Sequence, residues 1–417
     1  MLRFEYVPYP LWRRRLPGWL RPLGRSILRR SYPLDADEHP PSTPEAMAAF
    51  LMYWGLIDAL SEPEICQAIA DSRAQVTFSD IDVTPQPAAP GLLWLPAQWE
   101  PVESVILTYP VLYPPLWTQH AQMVEAITPV ADVEIVIPTR LWADAVWLFL
   151  QQRGRADLNR VRFSVLPTDD IWVRDYGPIV GLDEQGVPVA VNAHFDPLPS
   201  YPQARDNAMP ARWAAQHVIP LRSLDLHIEG GNLLSDGAGT LIVSEQIFYS
   251  NPYLRRDRLL RVLHEVFAFD KLIVTPRLAY EETGHVDLLV KLVDANTVLI
   301  PRSPGILNRA NLRSAANLFR RESNARDNRY RVIDLPGLSP YLNWGVYPIW
   351  RSYANALSVN GRVLVPTYGV PEDDEALAAY QRAMPTSEII SIDSRASIHG
   401  GGAVHCLTRE VPKVRMV

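Results

Sequence analysis

From Leu95 onward, short apolar runs alternate with polar turns in a repeating order: a polar residue, a short apolar strand, a turn of Gly, Asp or Asn, and a second β-branched strand. Four copies are complete. They begin at Asp175-Tyr176-Gly177-Pro178-Ile179-Val180, Glu229-Gly230-Gly231-Asn232-Leu233-Leu234, His285-Val286-Asp287-Leu288 and Asn355-Ala356-Leu357-Ser358-Val359, with turns at 183–186, Asp236-Gly237, 294–296 and Asn360-Gly361. Return strands are expected over 187–191, 240–244, 297–301 and 362–366. A fifth unit is split between the ends, 102–109 supplying one strand and 403–408 another, and pairing them closes a ring. Between copies, residues 115–127, 255–268, 306–321 and 373–383 carry apolar residues at helical spacing, which sets helices outside the strands. The polar residue of each copy, among them Asp175, Glu229, His285, Asp287, Asn355 and Cys406, then converges at one end of a central channel. An ordinary α/β sheet in which these residues simply begin strands is the plainer alternative.

Upstream, Ser42-Thr43-Pro44-Glu45 and Ser61-Glu62-Pro63-Glu64 each place a hydroxyl three residues before a glutamate with proline in the first turn, which predicts a helical pair over 42–75. A proline-rich connector, 84–91, follows. The expected organisation is an N-terminal appendage over 1–91 and a main domain over 92–417. The first thirty residues hold eight arginines, Arg3, Arg13, Arg14, Arg15, Arg21, Arg25, Arg29 and Arg30, against Glu5 alone. They lack the apolar core of a secretory signal. This basic arm packs on the acidic main body or touches an anionic membrane surface.

The 417 residues are 47% hydrophobic with a net charge of −6, which describes a soluble globular chain and disfavours nucleic acid as a partner. Two cysteines exclude a disulfide scaffold and point to the cytoplasm. The longest uncharged apolar run, 46–57, is too short to span a bilayer.

Candidate chemistry centres on Gly400-Gly401-Gly402-Ala403-Val404-His405-Cys406, a thiol behind three glycines. Cys66 has no histidine nearby and reads as a packed thiol. Cysteine, histidine and carboxylate suffice for nucleophilic thiol catalysis. Asp175 and Asp287 add a surplus of acid from different repeats, and paired carboxylates suit a planar guanidinium that offers forked donors. That combination describes a guanidine hydrolase. No HExxH pair is present, and His399 and His405 have no further ligand set beside them, so neither metal nor cofactor is expected.

These residues resemble the guanidino-group-modifying, or pentein, superfamily, and within it the agmatine deiminase and bacterial peptidyl-arginine deiminase family. The likeness runs from about Leu95 to the C-terminus. It rests on Leu95-Pro96-Ala97-Gln98-Trp99-Glu100-Pro101, Trp172-Val173-Arg174-Asp175-Tyr176-Gly177-Pro178, Ile228-Glu229-Gly230-Gly231-Asn232, Gly284-His285-Val286-Asp287 and the glycine-flanked Cys406. The resemblance implies an α/β propeller of five pseudo-symmetric repeats around a channel. It further implies Cys406 as nucleophile, His285 as general acid and base, Glu229 as the group orienting His285, and Asp175 and Asp287 as guanidinium anchors. Asn355 lines the site or stabilises a turn; Trp172 lines it or packs in the core; Arg174, alternating with Asp175 along a strand, faces away and holds the strand end.

The substrate is then a small cationic guanidino compound, agmatine first, which would connect the enzyme to polyamine biosynthesis. Citrullination of peptidyl arginine is the alternative, with an amidinotransferase or a binding protein behind it. Tyr109-Pro110 and Tyr353-Ala354-Asn355 lean towards the peptidyl branch, and Glu229 towards the small-molecule one. A loop over 196–212, with Arg205 and Arg212, falls where a substrate carboxylate could bind. Trp344 and Trp350 wall the channel or pack in the core, and a homodimer is left open.

Overall fold

The computed structural model describes residues 40–72, 86–88, 90–111, 113–195, 203–281, 283–343 and 347–414. The basic arm, positions 84, 85 and 89 of the proline-rich connector, positions 196–202 of the expected loop and Trp344 lie outside the described residues. The helical pair is present as Pro44–Tyr53 and Glu62–Ser72. Thr43 Oγ1 accepts from the Ala46 amide at 3.3 Å, and the Ser61 amide and hydroxyl both donate to Glu64 Oε2, at 2.7 and 2.6 Å. Met47, Leu51, Ile65 and Ile69 are fully buried in the same core as Trp117 and Trp142. The rings of Phe50 and Trp142 meet edge to face at 5.2 Å. Each such apolar side chain contributes about 1.5–3 kcal/mol on burial, so the pair is bound into the body by its packing. The connector also touches the body: the Ala88 amide donates to Leu221 O at 2.9 Å and the Leu221 amide to Gln86 O at 2.7 Å.

Among the described residues the strands form six sheets, and five share one plan. An antiparallel pair leads, and a third strand joins it in parallel after a helical crossover, the connection that parallel neighbours require. Ile179–Leu182, Pro188–His194 and Leu221–His227 make the first such set, and Leu234–Ser235, Thr240–Ser244 and Lys271–Thr275 the second. Lys291–Asp294, Thr297–Pro301 and Arg331–Leu335 follow, then Leu357–Val359, Arg362–Thr367 and Glu388–Asp393. In the fifth, Arg409–Pro412 pairs antiparallel with Val102–Thr108, which runs parallel to Asp132–Ile137, with Val161–Val165 as a fourth strand. The crossover helices are Ala204–Gln216, Arg256–His264, Arg309–Arg321, Glu372–Ala383 and Trp117–Ile127. No sheet closes on itself among the described residues.

Several expectations need correction. The C-terminal partner of Val102–Thr108 is Arg409–Pro412, not 403–408. The latter is a run of turns whose amides bond locally, Thr408 N to His405 O at 3.1 Å and Leu407 N to Val404 O at 3.2 Å. Arg174 and Asp175 lie on the single helical turn Val173–Tyr176, not on a strand, so strand alternation does not govern them. Likewise Glu229 and His285 each immediately precede a 3-10 turn, Gly230–Asn232 and Val286–Leu288, ahead of the next strand. Part of the expected loop over 196–212 is the helix Ala204–Gln216, which Pro210 concealed; Met209 and Trp213, four residues apart, anchor it in the core. The helix Arg140–Arg153 also escaped the pattern, because an unbroken run from Trp142 to Leu150 is buried and no polar face marks it.

Candidate active site

Cys406 sits in the turn that follows the glycines, 5% exposed. A Cβ on Gly402 would come 2.4 Å from the Trp172 ring and 2.8 Å from the Cys406 Cβ, so only glycine lets this turn fold over the tryptophan. Asn355, fully buried, braces the same turn. Its Oδ1 accepts from the amides of Ala403 at 3.2 Å and Cys406 at 3.3 Å, which leaves Nδ2 to donate to Cys406 Sγ at 3.1 Å and Asp287 Oδ2 at 3.0 Å. Both backbone donors fall on one side of the amide, so its orientation is set by the network.

His285 is enclosed by acids. Its Nε2 hydrogen-bonds Glu229 Oε2, and its Nδ1 lies 3.4 Å from Asp175 Oδ1. Burial disfavours a charged imidazole here, but Asp175 and Glu229 outweigh it and hold the pKa at about 10. The side chain is therefore an imidazolium through the neutral range. Gly231 admits this arrangement, since a Cβ there would stand 2.6 Å from both Asp175 Oδ1 and His285 Nδ1. Asp175, Glu229 and His285 also bring one ligand atom each within 4.8 Å of one another, a set that would hold a metal ion only if His285 gave up its proton.

Burial, assisted by neighbouring acids, pushes Asp175 up to about 7 and Asp287 up to about 6. Burial, with Asp287 and Asp175 nearby, also pushes the Cys406 thiol well above its ordinary value. Among the described residues, Asp175 Oδ1 and Asp287 Oδ1 are both buried and accept no hydrogen bond. Such atoms are costly to leave unpaired. One cation spanning them would relieve both carboxylates and lower the thiol pKa beside them.

The remaining side chains divide between brace and core. Arg174 is 4% exposed, pairs with Glu410 at 2.6 Å and donates through Nε to His405 O at 3.2 Å, which fits a structural ion pair. Trp172 is buried in the core beside the glycine turn, and Trp350 is buried among core residues that include Leu288. Arg205 is exposed and lies 3.8 Å from Asp169. Tyr109 is buried and donates to Trp117 O at 3.3 Å. Sequence reasoning missed a polar line from Lys291 through Gln98 and His405 to Asp287. Only the adjacency of His405 to Cys406 hinted at it.

Comparison with known proteins extends these observations. The sequence profile of the Porphyromonas-type peptidyl-arginine deiminases matches residues 94–412. The agmatine deiminase of Pseudomonas fluorescens (strain SBW25) is 28% identical over 364 residues, covering 76% of this chain and 95% of that protein. The agmatine deiminase of Pseudomonas aeruginosa (strain UCBPP-PA14) is 28% identical over 365 residues, covering 80% and 98%. The agmatine deiminase structure of Enterococcus faecalis superimposes with a TM-score of 0.71 at 19% identity, over 79% of this chain and all of that one, which is a likeness of fold. The profile takes in all five sheets together with Asp175, Glu229, His285, Asp287, Asn355 and Cys406, and on that match the chain belongs to the Porphyromonas-type peptidyl-arginine deiminase family.

Proposed function

We propose that this deiminase hydrolyses the guanidino group of a small cation, agmatine first, at Cys406. The observation that carries the reading is a pair of buried oxygens that accept no hydrogen bond from a described residue, Asp175 Oδ1, which faces the His285 imidazole at 3.4 Å, and Asp287 Oδ1. A planar guanidinium offers them donors on separate nitrogens and turns its carbon towards sulfur. The Cys406 thiolate adds to that carbon, His285 gives its proton to the departing nitrogen, and the C–N bond breaks to release ammonia and leave a thiouronium. Water then adds to the thiouronium carbon and passes a proton to His285. As the C–S bond breaks, the electron pair returns to sulfur, the remaining hydroxyl proton goes to solvent, and a ureido product leaves. Glu229 orients His285, and Asn355 holds the turn that carries the thiol. Relatives named as agmatine deiminases support the small substrate, and the family's own name supports peptidyl arginine as the second reading.

The five sheets are read as five pseudo-symmetric blades around a channel. Support comes from Asp175, Glu229, His285, Asn355 and Cys406, which each precede the leading strand of a different sheet and form two groups of short contacts, Asp175–His285–Glu229 and Asn355–Cys406–Asp287, joined by the chain between His285 and Asp287. Residues 92–417 form the catalytic domain on this reading, and 1–91 an appendage whose helical pair shares the core of the Val102–Thr108 sheet. Among the described residues no helix is long and apolar enough to cross a membrane. A reducing cytoplasm suits a thiol nucleophile.

Purified protein offered agmatine, free arginine and a blocked arginine peptide in separate assays, with Cys406→Ala as control, tests the reading. Ammonia that depends on Cys406 and comes chiefly from agmatine supports it. Preference for the peptide would move the assignment to citrullination. No ammonia from any of the three would overturn it, and product analysis with an added amine acceptor would then examine amidino transfer.

A further inference from the structure

Asp287 is the end of a polar line that starts at Lys291. Lys291 Nζ hydrogen-bonds Gln98 Oε1 and also donates to Ala356 O at 2.9 Å. Gln98 Nε2 meets His405 Nε2, and His405 Nδ1 lies 2.6 Å from Asp287 Oδ2. Lys291, His405 and Asp287 are 3%, 2% and 2% exposed. Water has little access to the His405–Asp287 end of this line, whereas Gln98 in its middle is half-buried.

The direction of every hydrogen bond follows from the carboxylate end. An ionised Asp287 only accepts, so His405 Nδ1 carries a proton. Burial, together with the nearby cations Arg174 and Lys291, holds His405 well below its ordinary pKa and hence neutral. A neutral imidazole with its proton on Nδ1 must accept at Nε2, so Gln98 presents its NH₂ there and its carbonyl to Lys291. The Lys291 end agrees, because an amine that donates to Ala356 O also has a hydrogen for Gln98 Oε1. The imidazole is thus fixed in one tautomer by residues far from it in sequence.

We propose that His405 is the positioning residue for Asp287: its Nδ1–H, fixed by Gln98 and Lys291, holds the carboxylate by Oδ2 and leaves Oδ1 free for the guanidinium. Asn355 Nδ2 takes the same oxygen at 3.0 Å and the Cys406 thiol reaches it at 3.7 Å, so the donors gather on Oδ2 while Oδ1 accepts from no described residue. Without His405, Asp287 could turn about its side-chain bonds and the two substrate contacts would not be met together. This inference rests on the reading of Asp287 as a guanidinium anchor.

The test compares alkylation of Cys406 by cationic 2-chloroacetamidine and by neutral 2-chloroacetamide. A Cys66→Ala background leaves Cys406 as the sole thiol, since the chain has two cysteines. The rate ratio isolates recognition of the cation from general access to sulfur. His405→Phe is expected to lower that ratio by roughly 10- to 100-fold and to raise KM for the guanidino substrate comparably, as befits a lost hydrogen bond to a charged group. His405→Asn, whose amide nitrogen occupies the place of Nδ1, should restore the ratio to within about threefold of the parent, because the donor to Oδ2 is kept. Gln98→Leu should lower it in the same direction, and it replaces His405→Phe as the deciding variant if that protein does not fold. An unchanged ratio in the deciding variant, or equal losses with both reagents, overturns the proposal. No amidine preference in the parent protein would instead remove Asp287 as an anchor, and the proposal with it.

Discussion

Asn355 donates to the sulfur of Cys406 across 3.1 Å, and the same amide nitrogen donates to Asp287 Oδ2 across 3.0 Å. One buried side chain therefore fixes the thiol relative to a carboxylate from another sheet, while its oxygen holds the Cys406 turn through two amides. Asn355→Ala removes all four contacts. Its kcat is expected to fall roughly 10- to 100-fold, the cost of losing a hydrogen bond to a charged group. Loss of the donor should also raise the pH at which Cys406 becomes reactive towards iodoacetamide, since that contact lowers the thiol pKa. Wild-type kcat in Asn355→Ala would contradict this role.

Binding of an inert guanidinium inhibitor should tighten as pH rises from about 5 to 8. Burial raises Asp175 to about 7 and Asp287 to about 6, so below those values the free protein keeps both carboxyls protonated. A guanidinium binds the ionised forms and must displace those protons. Affinity is therefore weakest in acid, improves through pH 6–7 and levels above it. Calorimetry in buffers of different ionisation enthalpy would report the released protons, and an affinity flat across that range would contradict the assignment.

How much of this was legible in the sequence follows from how local each signal is. Glu229, His285 and Cys406 each stand beside glycines that the geometry demands, so motif and mechanism coincide within a few residues. Asn355 was located, but its brace could not be read, because its partners Asp287 and Cys406 lie 68 and 51 positions away. Gln98 and His405 are separated by 307 positions, and nothing in a single sequence pairs them. The repeats were visible because period-2 strands and their turns are short-range features. The helical turn that carries Asp175 and the 3-10 turns that follow Glu229 and His285 were not, since three or four residues are too few to reveal a period.

Gly231→Ala probes the acid pair around His285. The added methyl would lie 2.6 Å from both Asp175 Oδ1 and His285 Nδ1, closer than either can tolerate; the carboxylate oxygen is buried, and His285 is 3% exposed. The imidazole must move by a sizeable fraction of an ångström, and displacements near 1 Å cost about 100-fold in rate. A comparable loss of kcat is expected, with a shift in the pH profile as Asp175 and His285 separate. Full activity would mean that these side chains have more room than the packing allows.

Leu51→Ala tests whether the N-terminal helical pair is part of the folding unit. Leu51 is fully buried in the cluster that contains Val105, Trp117 and Trp142, and Phe50 beside it packs on Trp142. A cavity there should cost about 2–5 kcal/mol, the usual range for such a truncation in a core. If the pair and the Val102–Thr108 sheet unfold together, denaturant unfolding remains a single transition with a lower midpoint, and activity per folded molecule is unchanged because Leu51 does not touch the site. If the pair is only an appendage, the substitution instead produces an early partial transition that leaves ammonia release intact. The shared core favours the first outcome, since unfolding the pair alone would expose Trp117 and Trp142 to water.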